Sequence, residues 1–347
     1  DSGNFEIIDR EKEVIRLGEG SGGNIKMIKP APMQRAVITL KRFKGIADSH
    51  NAKIRAVATS AVREANNKTE FLNTILEETG IEVEVVNGIE EARLIYLGVL
   101  KAVPVYDKKC LILDIGGGST ELLIGQNGEP IFSTSLKLGA VRLTERFFPN
   151  SELTEERIKE CREWVEGEIF LPLQSIKQHG FDICVGSSGT IMAAGLMVHA
   201  MTKKDISSSM ILNNYEIPRD QLKNVEKEIL KGKTTEKRKR INALDPERAD
   251  IIPAGIIILS EIFKQLDLEK LKISGFALRE GIIIDTLQKI ETAGRKPKLS
   301  NIRLESVLHL AESCVFDKAH CNHIAKLSLQ MYDQLKSILK LENIFYF

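Results

Sequence analysis

Apolar residues recur along this chain in two rhythms. Short apolar or alternating runs predict strands at Ile54–Thr59, Ile81–Val86, Cys110–Leu113, Leu122–Ile124, Ile131–Leu136, Phe181–Val185 and Leu271–Ser274. Two more are expected at the start, over Asn4–Arg10 and Glu13–Leu17, closed by Gly18 and Gly20. The helical period predicts a helix at about Met33–Ser49, with Val37, Leu40, Phe43 and Ile46 on one face, and another at about Glu90–Val103, stopped before Pro104. Asn67-Lys68-Thr69-Glu70 has capping-box form and opens a helix that Gly80 ends. Thr154 caps a long helix, with a break expected near Pro172. An Ala-rich helix follows Thr190, Pro218 opens a charged amphipathic one, and Asp245-Pro246 starts another. The last helix of this series runs from Arg279-Glu280-Gly281 to about Ile290. Beyond a linker at Ala293–Ser300, helices at about Ile302–Ser313 and Lys318–Leu339 are expected to bury Leu308, Ala311, Ile324, Leu327 and Leu329.

Strands and helices in this order imply an α/β protein with a weak internal duplication. The second half opens with a strand bearing Asp and glycines, returns twice in antiparallel strands, then alternates helices with strands. The first half shows the two returning strands and the alternation. Its opening strand is expected to have preceded Asp1.

Composition narrows the class. A length of 347 residues suggests roughly two or three domains, and 43% hydrophobic with 28% charged residues is ordinary for a globular protein. A net charge of +1 excludes a strongly basic binder of duplex nucleic acid but leaves room for a local basic channel. The 5 cysteines show no CxxC spacing, which favours a reducing cytoplasm. No apolar run reaches the roughly 18 residues of a membrane-spanning helix.

Candidate chemistry concentrates in Cys110–Ile124, CLILDIGGGSTELLI. The turn between its two apolar runs is too short for a crossover helix, so they should form a hairpin. Gly116, Gly117 and Gly118 are expected to give a tight turn with positive φ that aims backbone N–H groups at an anion. Asp114 at its mouth could hold hydrated Mg²⁺, Ser119 and Thr120 add hydroxyl donors, and Glu121 adds a second carboxylate. A glycine-rich hairpin without a ligand is the plainer alternative. A second glycine–serine run, Gly186-Ser187-Ser188-Gly189-Thr190, leads from a strand into a helix, where it could bind phosphate or be a plain serine-capped turn. Lys231, Lys233 and Lys237 to Arg240 form the densest basic run, usually a solvated helix face. His320, Cys321 and His323 lack a matching second ligand pair for a metal.

Taken together, these motifs resemble those of the exopolyphosphatase / guanosine-pentaphosphate phosphohydrolase family, within the actin-like, sugar-kinase and heat-shock ATPase superfamily. The resemblance covers about Phe5 to Gly281. It is carried by Arg10–Gly20, Ala56–Ala65, Gly88-Ile89-Glu90-Glu91-Ala92-Arg93, Asp114–Leu122, Gly186–Thr190, Asp245–Asp250 and Leu278–Gly281. It implies two ribonuclease-H-like (actin-like ATPase) domains facing a cleft, at 1–106 and 107–292, with the start of a helical, HD-like C-terminal region at 301–347. The family's first Asp-x-Gly-Ser-Asn phosphate loop has no counterpart here.

The resemblance also implies roles. Glu91 would deprotonate a water for in-line attack on phosphorus, with Glu121 as a second catalytic carboxylate. On sequence alone, Glu90 and Glu91 serve equally well to offset the helix dipole. Arg63 would clamp phosphate with a guanidinium fork, where its plain reading is a solvated charge. Phosphate would also lie on Gly116–Thr120 and on Gly186, Ser187, Ser188 and Gly189, with Mg²⁺ on Asp114. Arg93 is read as structural. The expected activity releases the terminal phosphate of inorganic polyphosphate, or the 5′ phosphate of guanosine pentaphosphate. An acetate- or sugar-kinase-like phosphotransferase and a non-catalytic nucleotide or alarmone sensor are the alternatives. The expected setting is cytoplasmic, without membrane, and a homodimer stands among the partner options.

Overall fold

The computed structural model describes residues 7–20, 26–150, 152–202, 212–292 and 316–335. The N-terminal half opens with α1 (Pro30–Ser49), whose proline stands in the first turn, where no amide partner is lost. There follow β1 (Ala56–Ala58), α2 (Ser60–Glu64), α3 (Lys68–Thr79) and β2 (Val83–Val85). β1 and β2 pair in parallel, Ala56 opposite Val83. Ile28, Val37, Val62, Phe71, Ile75 and Ile81 close a small core between helices and strands.

α4 (Gly88–Ala102) then leads to β3 (Cys110–Ile115), β4 (Thr120–Gln126), β5 (Glu129–Leu136), α5 (Ala140–Phe147), α6 (Glu155–His179), β6 (Ile183–Ser187) and α7 (Ser188–Thr202). β7 (Glu216–Pro218), α8 (Arg219–Lys231), α9 (Thr235–Arg238), a 3-10 turn at Pro246–Arg248, α10 (Ile252–Gln265), β8 (Lys270–Ile273) and α11 (Leu278–Thr292) complete this half. Its sheet runs β5-β4-β3-β6-β8-β7. The first three strands are antiparallel and β3, β6 and β8 are parallel, the arrangement of a ribonuclease-H-like sheet. Every residue of β3 is buried because helices cover both faces. Leu111, Leu113 and Ile115 point into the core shared with α6, α7 and α10. Cys110 and Ile112 alternate onto the other face, against Ile95, Tyr96 and Val99 of α4. Cys110, Cys161 and Cys184 are buried free thiols.

α4 and α11 cross with almost no gap. A methyl group built on Gly98 would lie 2.2 Å from the carbonyl oxygen of Ala277, and one on Gly281 would lie 1.7 Å from that of Leu94. Only glycine fits at either point.

Several sequence expectations fail. Residues 7–17 form no strand, and Asn4–Glu6 lie outside the described residues; 7–14 are exposed, Ile15 and Leu17 pack half-buried against the N-terminal core, and the arginine contacts described below hold the segment. α6 does not break at Pro172: the buried stripe Ile158, Cys161, Val165, Ile169, Leu173, Ile176 continues past the proline and holds the helix together. Asn67 makes no capping box; its side chain pairs with both the N–H and the carbonyl of Ile28, at 2.9 and 3.0 Å. The hairpin glycines are not among the positive-φ residues, unlike Gly80 and Gly128. The helix Lys318–Leu335 leaves Ile324, Leu327 and Leu329 exposed. Leu308, Ala311, the helix expected at Ile302–Ser313 and the linker at Ala293–Ser300 lie outside the described residues. Arg238, within the basic run, is fully buried, its guanidinium held by the carbonyls of Ala249 and Gly232.

Candidate active site

The glycine turn owes its shape to α5, which sequence reading missed. The first amides of α5 grip the turn: Ala140 N–H donates to the Gly116 carbonyl at 2.9 Å, and those of Val141 and Arg142 donate to Gly117 at 2.9 and 3.1 Å. The Arg142 side chain takes the third carbonyl, its Nε donating to Gly118 at 2.7 Å. Gly139 permits this approach, since a methyl there would fall 2.3 Å from the Gly117 oxygen. No described peptide is cis. In a trans peptide the N–H points opposite to the carbonyl that precedes it. Three carbonyls turned towards α5 therefore turn the amides of Gly117, Gly118 and Ser119 away from it, the arrangement that a cradle for an anion requires.

Three carboxylates gather behind the cradle, all buried: Glu91, Asp114 and Glu121. Asp114 lies within β3 and accepts a hydrogen bond from Ser187 Oγ at 2.5 Å. Glu121 stands opposite it on β4 and accepts from Ser135 Oγ at 2.8 Å. Glu91 comes from the first turn of α4, which the Asn87 side chain caps by accepting from Glu90 N–H at 2.9 Å. That turn packs onto Ser135 where Gly88 offers no side chain. Arg63, at the end of α2, donates to Glu91 Oε2 and to the Val86 carbonyl, both at 2.9 Å. Glu90 faces the other way, bridged by Arg93, which also reaches Asp285.

Burial pushes the Glu91 carboxyl above its ordinary range, partly offset by Arg63 and reinforced by Asp114. Burial likewise raises Asp114, against the pull of the Ser187 and Ser188 hydroxyls. Glu121 is pushed up to about 8 by burial and by repulsion from Glu91 and Asp114. Such a hard-oxygen, electron-rich site suits Mg²⁺, whose charge would relieve this strain. Among the described residues no three His, Cys, Asp or Glu side chains stand close enough to enclose an ion. A Mg²⁺ ion on Asp114 would therefore keep water or phosphate oxygens in its shell.

Some expected phosphate donors are committed elsewhere. The Thr120 hydroxyl is buried and donates to the Leu138 carbonyl at 2.7 Å. Gly186 and Ser187 belong to β6, and the Ser187 hydroxyl serves Asp114. Ser188 Oγ donates to the Ile115 carbonyl at 2.7 Å. The second glycine–serine run thus stitches β6 to β3, and its Gly189 and Thr190, at the start of α7, line a cavity.

Arg248, not singled out by sequence reading, lies against Gly189, where any side chain would strike its guanidinium. A cavity of about 300 Å³ is lined by Lys12, Arg16, Gly116, Gly117, Gly189 and Arg248, among others. An adjoining cavity of about 350 Å³ shares Lys12, Gly189 and Arg248 and adds Arg10 and Arg279. No described helix is long and apolar enough to cross a membrane.

The sequence pattern of the Ppx/GppA phosphatase family matches residues 1–290. An exopolyphosphatase from Cytophaga hutchinsonii is 29% identical, over 80% of this chain and 89% of that one, with a TM-score of 0.73. A Ppx/GppA family member from Aquifex aeolicus is 27% identical over 84% of this chain and 92% of that one, with a TM-score of 0.68. An exopolyphosphatase-like protein is 26% identical over 82% and 93%, with a TM-score of 0.75.

Proposed function

The chain belongs to the Ppx/GppA phosphatase family, and on that footing we propose that its cleft hydrolyses the terminal phosphoanhydride of inorganic polyphosphate, with water as acceptor. The observation that carries this reading is the meeting of Glu91, Asp114 and Glu121 behind the amide cradle, with Arg63 on Glu91. Glu91 orients the water and accepts its proton; burial moves its pKa towards the working pH, which favours a general base. The amides of Gly117, Gly118 and Ser119 hold the terminal phosphoryl oxygens. Arg63 positions Glu91 and, once a substrate arrives, can share its fork with phosphate. Mg²⁺ on Asp114, with Glu121 beside it, would neutralise charge on the phosphate oxygens. The two adjoining cavities carry Lys12, Arg16, Arg248, Arg10 and Arg279 among the carboxylates Glu13, Asp245, Glu247 and Glu280; cations are in excess in the second, which is where further phosphates of the substrate would lie.

Glu91→Gln keeps the size of the side chain but cannot take a proton. Phosphate release from polyphosphate should fall by about 10²–10⁴ while binding and fold persist. Glu90→Gln, on the opposite side of the helix, should be mild. Running guanosine pentaphosphate in parallel settles which terminal phosphate is preferred. Stoichiometric phosphorylation of acetate or a sugar, with no free phosphate released, would return the protein to the kinase alternative.

A further inference from the structure

We propose that Arg142 is a positioning residue that sets the direction of the cradle's Ser119 amide and ties the cradle to the helix carrying Arg63. The substrate class rests on the phosphohydrolase reading above; the geometry does not. Arg142 is 5% exposed. While its Nε holds the Gly118 carbonyl at 2.7 Å, its Nη2 donates to Glu64 Oε1 at 2.7 Å, with Ser60 Oγ at 3.5 Å. One planar fork thus joins two halves of the protein. On the cradle side, fixing the Gly118 carbonyl fixes the opposed Ser119 amide. On the other side, Glu64 is the last residue of α2 and also accepts from Ser60 Oγ at 3.0 Å and Lys137 Nζ at 3.1 Å. Its chain neighbour Arg63 grips Glu91 and the Val86 carbonyl. The series Gly118–Arg142–Glu64–Arg63–Glu91 therefore connects the group that holds phosphate to the group that addresses water. A buried ion pair of this kind is a poor way to gain stability, because both charges lose their hydration. Holding a donor direction across a cleft is a better account of it. Proximity chemistry also depends on such alignment, since small displacements of reacting groups cost large factors in rate.

The test uses Arg142→Lys, Arg142→Gln and the double variant Arg142→Gln/Glu64→Gln. Lysine keeps a charge against Glu64 but cannot also donate to the Gly118 carbonyl in the geometry of Nε. Affinity for inorganic tripolyphosphate is read by calorimetry without divalent cation, so that turnover does not interfere. Melting temperature and the kcat and KM for polyphosphate are read alongside. Arg142→Lys should fold yet bind tripolyphosphate about tenfold more weakly or worse, the order of effect of one charge-assisted hydrogen bond. Arg142→Gln leaves the largely buried Glu64 carboxylate with only Ser60 and the exposed Lys137, so the double variant, which removes that charge, should melt above Arg142→Gln without regaining affinity. If affinity recovers together with melting temperature, or if Arg142→Lys binds like the wild type, the role is structural and the proposal falls. A wild-type protein that binds no tripolyphosphate overturns it outright. A wild type that binds tripolyphosphate through Arg142, yet releases no phosphate from polyphosphate, would sink the phosphohydrolase reading and leave the positioning role standing.

Discussion

Glu121 shows how far burial can move one carboxyl group from its ordinary titration. Burial and the repulsion of Glu91 and Asp114 raise it to about 8, against an ordinary value of 4.5. The folded protein therefore holds a proton that the unfolded chain has released. Between those two values the folded state binds more protons, so stability falls as pH rises from about 4.5 to about 8. Adding Mg²⁺ should flatten that slope, because a nearby divalent cation favours the ionised form. Thermal melts from pH 4 to 9, with and without Mg²⁺, check both statements. Glu121→Gln should lose most of the slope in the metal-free protein; an unchanged slope would place the titration on another group. Glu91 shares the same direction of shift, so its substitution should steepen nothing and flatten less.

At the level of elements, the decisive one is α5, eight residues long. Its helical period is too short to stand out, and Arg142 sits on the face that a hydrophobic pattern reserves for apolar residues. The longer helices α1 and α4 were legible in the sequence, as was the hairpin of β3 and β4; α3 was read from a capping-box form that the structure does not make and from Gly80, which does end it. The sequence singled out Asp114–Glu121 because glycines and carboxylates so close together are uncommon in a plain turn, and the structure sets Asp114 and Glu121 opposite each other on the hairpin. What the pattern could not show was how the glycines are used. None of the three supplies positive φ; a Cβ on Gly117 would stand 3.2 Å from the Val141 side chain of α5, and it is Gly139 that lets α5 approach the turn. The start misled because the short apolar pairs Ile7-Ile8 and Val14-Ile15, set between charges, look like strands. Those charges have distant partners instead: Arg10 reaches Glu280 at 2.8 Å, and Arg16 reaches Asp250 at 2.5 Å. If Gly139 matters for approach, Gly139→Ala must push α5 off the turn. Its φ of −152° suits alanine, so backbone strain is no part of the effect. The clash should cost about 1–3 kcal/mol of stability and weaken tripolyphosphate binding; calorimetry and a denaturant melt read the two. A variant of wild-type affinity would mean that the turn keeps its shape without α5.

Across the whole molecule, the two halves also meet at a buried carboxylate, besides the Arg142–Glu64 pair. Asp285, on α11, accepts from Arg55 Nη1 at 2.7 Å, just before β1, and from Arg93 Nη2 at 2.6 Å on α4. Lys289 on its own helix adds a third cation at 2.8 Å. Beside this hub, α4 and α11 touch through Gly98 and Gly281, a contact that leaves little room for sliding. The hub therefore bears on how the N-terminal half, with Arg63, is held over the cradle. Burial alone would raise the Asp285 carboxyl, but its bonds to Lys289, Arg93 and Arg55 outweigh burial and hold it at about 2. The sign follows from that depressed value. The stabilisation is complete above the ordinary value of 3.8 and is lost as pH falls towards 2. Asp285→Asn leaves three cations facing a neutral amide and should cost about 1–2 kcal/mol near neutral pH, allowing for screening of the partly exposed cations. The gap in stability between wild type and variant should be constant from pH 5 to pH 8 and close in stronger acid. If the hub also sets the approach of the two halves, kcat/KM for polyphosphate should fall in the variant at pH 7, where Glu91 and the cradle are chemically untouched. A variant that melts lower yet turns over at the wild-type rate would confine Asp285 to stability and leave the alignment of the cleft to Arg142 and Glu64.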